Sequence, residues 1–234
     1  RINEIPTYTH LICGLFADPS VSSGDDHYEA IQTPVSLIYA NINIIETQRV
    51  NNSKRLDGQV VVITGGNTGI GKETAFQLSL RGAKVYIGCR DETKAETAIR
   101  DIKARNPKAN IKQLKLDLCL LKSVRDFAKN LSQFETQLDI LINNAGVFGC
   151  PEGRTQEGFE LHFGINYLSH FLLTLHLLPL MRVSPKARVI NVAAGGYGLG
   201  KINFTNINLR NGVYNRLDGY NNSAIQSGTG QALE

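Results

Sequence analysis

The chain has 234 residues, 42% of them hydrophobic and 20% charged. That apolar fraction is too high for a disordered chain, and a mean hydropathy of −0.15 is too low for a polytopic membrane protein. Its 25 basic and 21 acidic side chains give +4 without any concentrated basic stretch, which argues against a nucleic-acid partner.

Residues 1 to about 55 hold weak apolar patches, His10 to Phe16 and Val35 to Ile45, around a polar stretch from Asp18 to His27. No clear periodicity emerges, so a poorly ordered extension is expected there, with Asn51 to Lys54 as a linker. From Leu56 the pattern becomes regular. The β-branched run Val60 to Thr64 suits a strand buried on both faces. A glycine turn follows, then a helix over Lys72 to Leu80 and a strand over Lys84 to Gly88. Ala95, Ala98, Ile99 and Ile102 fall at helical spacing before Pro107.

A third strand is expected at Ile111 to Leu116, and Val124, Phe127, Ala128 and Leu131 mark a third helix. A fourth strand, Leu138 to Ile142, runs into Asn143-Asn144-Ala145-Gly146. A long helical stretch from about Glu157 to Met181 precedes a fifth strand, Val189 to Val192. Strands alternating with helices in this way imply an α/β fold, a parallel sheet with helices on both faces. The longest apolar stretch, Phe171 to Met181, has about half the length a bilayer requires, so no transmembrane segment is expected. The sequence starts at Arg1 rather than methionine, which fits a processed chain or a fragment, and no signal-peptide hydrophobic region is present.

Four cysteines, Cys13, Cys89, Cys119 and Cys150, are scattered without a C-x-x-C pair, as expected of reduced intracellular thiols. The five histidines form no metal-binding pattern, so no metal is expected. The sharpest local signal is Thr64-Gly65-Gly66-Asn67-Thr68-Gly69-Ile70-Gly71-Lys72. Glycines between a strand and a helix allow a tight turn and close approach of the backbone to a diphosphate. The helix N-terminus then offers that anion free N–H groups and a positive dipole end. Thr64, Gly65, Asn67, Thr68, Gly69, Ile70 and Gly71 are therefore expected to bind a dinucleotide.

The spacing T-G-x-x-x-G-x-G resembles that of the short-chain dehydrogenase/reductase family. Asn143-Asn144-Ala145-Gly146 matches its N-N-A-G, and Asn166 to Phe171 matches its long central helix. Gly69 to Ala75 together with Gly88-Cys89-Arg90-Asp91 resembles its retinol dehydrogenase branch. The likeness runs from Leu56 to Ser223 and implies a Rossmann-type doubly wound sheet lacking its last strands and helices. It also adds Asp117 and Leu118, which would face the adenine, and Asn143, Ala145 and Gly146 to the cofactor site.

The choice of cofactor follows from charge. An enzyme preferring NAD places a carboxylate at the end of its second strand, on the ribose 2′-hydroxyl. Here that strand ends in Gly88-Cys89-Arg90, with Lys72 in the glycine turn and Asp91 one residue later, free to pair with Arg90 or Lys94. A guanidinium pairs with a 2′-phosphate, so NADP is expected rather than NAD.

The resemblance implies a catalytic pair, Tyr220 for proton transfer and Asn166 for a water relay. Two positions depart from the pattern: the family's lysine is Ala224 and its serine is Ala194. Neither Tyr197 nor Lys201 occupies a position that the family uses. His170 and His176 are expected to pack or to face solvent rather than to act as acid or base, and Cys150 to be inert. Resemblance ends at Ser223, leaving residues 224–234 as a non-family tail that reads as a truncation or a gene-model end.

The resemblance, with its two departures at Ala194 and Ala224, implies two readings of function. One is an NADP(H)-dependent oxidoreductase acting on a small hydrophobic alcohol or carbonyl such as retinol or retinal. The other is a catalytically impaired isoform or pseudoenzyme that binds only cofactor or a protein partner. A cytoplasmic location, or a peripheral one at an intracellular membrane, is expected. A homodimer is left open without support.

Overall fold

The computed structural model describes residues 54–193, 202–215, 217–220 and 223, together with the strand at 7–11. Six strands, β1 (Thr7–Leu11), β2 (Val60–Thr64), β3 (Lys84–Cys89), β4 (Asn110–Lys115), β5 (Ile140–Asn143) and β6 (Arg188–Ala193), form one sheet in the order β1-β6-β5-β2-β3-β4. Every neighbouring pair is parallel. The helices are α1 (Gly69–Leu80), α2 (Glu92–Arg105), α3 (Leu121–Phe134) and α4 (Ser169–Val183), the last preceded by a π-helical turn over Phe163–Leu168. This is the α/β parallel sheet expected from the alternating pattern, in the Rossmann-type doubly wound arrangement that the resemblance implied.

Alternation along β2 feeds two separate cores. Val60 and Val62 pack with Phe127, Leu131, Leu173 and Leu177 from α3 and α4. Val61 and Ile63 face the other way, onto Ala75, Phe76, Ala95 and Ile102 from α1 and α2. A strand covered on both faces has no solvent side, which is why β2 reads as an unbroken β-branched run. Successive strands lead outward from β2 through β3 to β4, and the chain then returns to lay β5 on the other side of β2. The order reverses between β2 and β5, and the carboxyl ends of the strands at such a reversal are where open α/β sheets form their ligand crevice.

Two elements differ most from the sequence expectation. Thr7–Leu11 lies in the stretch expected to be without regular structure, yet it forms an edge strand parallel to β6, with Thr7 opposite Val189 and Leu11 opposite Ala193. The remainder of that stretch, residues 1–6 and 12–53, lies outside the described residues. The long helix does not begin at Glu157. Gly158 has φ +84°, and Arg154 and Glu160 bridge antiparallel, so a tight turn occupies those positions. Helix starts only beyond it, where the Glu160 carboxylate accepts the Phe163 N–H at 2.8 Å. The 21 helical residues Phe163–Val183 are long and apolar enough to cross a membrane by length and composition alone. However, Leu173, Leu177 and Met181 are fully buried, the pattern of a helix packed on a sheet.

A buried carboxylate fastens the opposite end of the sheet. Asp139 accepts the Val60 N–H at 2.8 Å and the Ser184 hydroxyl at 2.6 Å, with Gln137 Nε2 at 3.2 Å. Asp139→Ala would leave two buried donors without partners. The expected loss of ~2–4 kcal/mol, about that of unsatisfied groups bonded to a charge, is measurable as a lower urea midpoint at unchanged m-value.

Candidate functional site

The glycine turn joins β2 to α1 at the crevice. Gly65 has φ +68° and its N–H donates to Gly88 O at 2.8 Å, tying the turn to β3. Helix α1 starts at Gly69, three residues earlier than the apolar pattern suggested, so Gly69, Ile70 and Gly71 form its first turn. Thr68, the N-cap, makes no side-chain capping bond, and no acidic residue lies in that turn. Gly69 has φ +50° and open space where a Cβ would stand. The first turn of α1 therefore carries neither a side-chain cap nor a carboxylate of its own, which leaves its positive dipole end available to an anion.

The loop after β5 closes the other wall. Thr64, fully buried, accepts N–H bonds from Asn144 and Ala145 on its hydroxyl, both at 2.9 Å. The Asn144 side chain donates to Thr64 O at 2.9 Å. Asn144 was absent from the residues singled out by sequence, although it stands inside the N-N-A-G motif, and it is the asparagine that holds the turn. Asn143 is placed differently from the expected cofactor contact. Its side chain is buried and donates to Thr174 Oγ1 at 3.2 Å and Asn191 Oδ1 at 2.8 Å. Its own Oδ1 has no partner.

Asp117 and Leu118 follow β4. Asp117 Oδ1 accepts the Cys119 N–H at 2.9 Å. Leu118 is buried in the core, and its carbonyl accepts the Ser169 hydroxyl at 2.7 Å. Arg90 is exposed at the end of β3. Next to it, Asp91 caps α2 by accepting the Lys94 N–H at 3.0 Å. Lys72 is held by Asp101 of α2 at 2.6 Å, so its ammonium is fastened along the helix rather than to the turn.

Asn166 sits in the π-helical turn, a local widening that often marks functional positions. Its Oδ1 accepts the Val147 N–H at 2.8 Å, and its Nδ2 donates to Val147 O at 3.0 Å and Ser223 Oγ at 3.1 Å. Ser223 in turn donates to Tyr220 O at 2.8 Å. The half-buried Tyr220 ring stands edge-on to Phe148, with centroids 4.6 Å apart, and to His162 at 6.1 Å. Tyr220, Asn166 and the loop after β5 are thus brought together. Gly146 is exposed on that loop. Ala194, Tyr197, Lys201 and Ala224 lie outside the described residues.

Behind Tyr220 is a buried polar cluster without a sequence signal. Glu160 accepts from His162 Nδ1 at 2.8 Å and from the Tyr214 hydroxyl at 3.1 Å. Burial pushes the Glu160 carboxyl up, but the His162 ring and the Phe163 and His162 N–H groups outweigh it and hold it below the usual range. Burial and the Glu160 charge raise the Tyr214 phenol above its ordinary value. Cys150 Sγ lies 3.4 Å from His162 Nε2 and 3.7 Å from Nδ1. A thiol bonded in line to one ring nitrogen would be much farther from the other, so the sulfur lies over the ring face. That is a packing contact rather than the alignment of a nucleophile with its base. None of Cys89, Cys119 and Cys150 forms a disulfide, and burial pushes the Cys89 thiol up to about 11.

Comparison with known proteins covers most of this region. The family model for short chain dehydrogenase matches residues 59–205. Human retinol dehydrogenase 12 is 53% identical over 150 residues, 64% of this chain and 48% of that protein. The chain therefore spans about half the length of the curated relatives it matches. A solved structure from Mycobacterium paratuberculosis shares 37% identity at a TM-score of 0.66, covering 74% of this chain and 60% of its own. The Pseudomonas aeruginosa RhlG/NADP active-site complex shares 29% identity at a TM-score of 0.58, covering 74% and 64%.

Proposed function

This chain belongs to the short-chain dehydrogenase family, and from that premise we propose that it is an NADP(H)-dependent oxidoreductase of a hydrophobic alcohol or carbonyl, of which retinol and retinal are examples. The observation that carries this reading is the uncapped, glycine-lined N-terminus of α1 facing the crevice. It is the seat a cofactor diphosphate needs, with Gly65, Asn67, Thr68, Gly69, Ile70 and Gly71 around it. Asp117 and Leu118 would border the adenine, and Ala145 and Gly146 would pass beneath the nicotinamide. Asn143 and Asn144 act one step back, as supports of that loop.

When bound, the nicotinamide supplies the hydride equivalent for reduction or accepts it in oxidation. The chain's own contribution is to hold the ring and to move a proton. Tyr220 is the residue we assign to proton exchange with the substrate oxygen, and Asn166 shapes the loop in front of it through Val147. The exposed Phe148 ring beside Tyr220 supplies an apolar wall, which supports a hydrophobic substrate. Similarity to retinol dehydrogenase 12 over the matched segment points the same way.

The preference for NADP rests on Arg90 and Asp91. Arg90 is exposed at the strand end, and the carboxylate that follows it, Asp91, accepts the Lys94 N–H as the α2 cap. Arg90→Ala is expected to weaken NADPH binding about 10–100-fold, the range of one or two charge-assisted bonds, and NADH binding far less. Titration of cofactor fluorescence measures both. Tighter binding of NADH than of NADPH by the unaltered chain would overturn the assignment. Turnover is tested by the fall in NADPH absorbance with retinal, and a chain that binds neither nicotinamide cofactor would refute the function as a whole.

A further inference from the structure

We propose that His170 is a positioning residue: its neutral ring accepts the hydrogen bond of the Thr64 hydroxyl and so leaves both lone pairs of that oxygen free to hold the Asn144–Ala145 backbone against the glycine turn. This goes beyond the cofactor reading, though its consequence for binding rests on it. A hydroxyl has one proton and two acceptor lone pairs. Thr64 Oγ1 is fully buried, with the backbone nitrogens of Asn144 and Ala145 each at 2.9 Å. Both of those groups can only donate. Receiving them fills both lone pairs, and the Thr64 proton must then go to an acceptor.

His170 Nε2, 2.8 Å away, is that acceptor. It can accept only when it carries no proton, which puts the ring's proton on Nδ1. Nδ1 in turn lies 3.0 Å from Asn166 O, a group that can only accept. One tautomer satisfies every partner, and it is the neutral one. Burial favours the same state, lowering the His170 pKa to about 4.

The arrangement joins three parts of the site through one side chain on α4. At one end is the carboxyl terminus of β2, at another the loop after β5. The third is the backbone of Asn166, whose side chain grips Val147 of that same loop. An apolar residue at position 170 would leave the Thr64 proton without its acceptor, to compete with the Asn144 and Ala145 N–H groups for the same oxygen. Glutamine at 170 would restore a carbonyl at the level of Nε2, whereas asparagine would be too short to reach.

The test uses the full 234-residue chain without cofactor and follows amide hydrogen exchange by NMR. In His170→Phe, exchange at Asn144 and Ala145 should quicken about tenfold, the equivalent of one lost hydrogen bond, while the amides of β2 and β3 keep their protection. His170→Gln should restore both amides, and NADPH affinity should fall and recover in parallel. In a Thr64→Val background, which has no hydroxyl to orient, His170→Phe should add nothing further. Unchanged exchange at both amides in a folded His170→Phe chain would overturn the proposal, as would a full additional effect on Thr64→Val. Should His170→Phe not fold, the comparison of glutamine with asparagine decides: protection retained by both or lost by both refutes the role. If the amides respond as expected but the unaltered chain binds no NADPH, the positioning role stands and the cofactor reading fails.

Discussion

Gly71→Ala is expected to abolish measurable dinucleotide binding, with NADPH affinity reduced by more than about 100-fold, and to lower stability by ~1–3 kcal/mol. A Cβ at this position would stand 2.3 Å from Gly65 O and 2.6 Å from Asn144 Nδ2. Neither neighbour can yield cheaply, because one is backbone of the turn itself and the other is the amide that fastens the turn to the loop after β5. Relief would require α1 to move away from β2, taking its first N–H groups out of line. Gly69→Ala makes a useful contrast. No atom lies within 4 Å of its Cβ position, and the penalty is the left-handed backbone at φ +50°, about 1–2 kcal/mol. Fluorescence titration and urea denaturation of the two variants separate a steric fault at the base of the turn from strain at its lip.

Phe127→Ala should produce the largest loss of stability, ~3–5 kcal/mol by the usual magnitude for a buried phenylalanine. The ring is fully buried in the core beneath α3 and α4. It also lies beside Gly88, where an added Cβ would come within 3.2 Å of Phe127 Cε2. The close approach of helix to sheet at Gly88 was built around this ring, so its removal leaves a cavity that backbone cannot fill. Against a total of about 5–15 kcal/mol for a domain, such a loss leaves a small margin. Urea midpoints compared with the unaltered chain measure it, and a change below about 1 kcal/mol would contradict the packing described.

Much of the fold and the turn was legible because the signals were local. Val60 to Thr64 and the spaced glycines after it are contiguous, and a strand buried on both faces needs no partner information to be recognised. The N-N-A-G loop was legible as a motif, but the division of labour within it was not. Asn143 and Asn144 are neighbours of identical chemistry. Only the end of β5 decides that one turns under the sheet toward Thr174 while the other reaches Thr64. His170 read as a packing residue because its hydrogen-bond partner lies 106 positions upstream. The start of the long helix was misplaced at Glu157 because apolar periodicity does not register the left-handed backbone of Gly158. Strand β1 was missed because its five residues gain their pairing from β6, at the far end of the domain.

The helix starts along the carboxyl edge of the sheet have different electrostatic fates. Asp91 closes the first turn of α2, Glu157 takes the Leu121 N–H at the start of α3 at 2.7 Å, and Glu160 takes the Phe163 N–H ahead of α4. Each is a carboxylate set against the positive end of a helix dipole. Among the described residues α1 alone begins without one. An approaching polyanion therefore meets a row of helix ends of which three are already neutralised, and its docking register is selected by where acidic side chains have been placed as much as by where glycines have. An acid introduced at the start of α1, Thr68→Asp for example, would complete the row and erase that distinction without touching a single packing contact of the core.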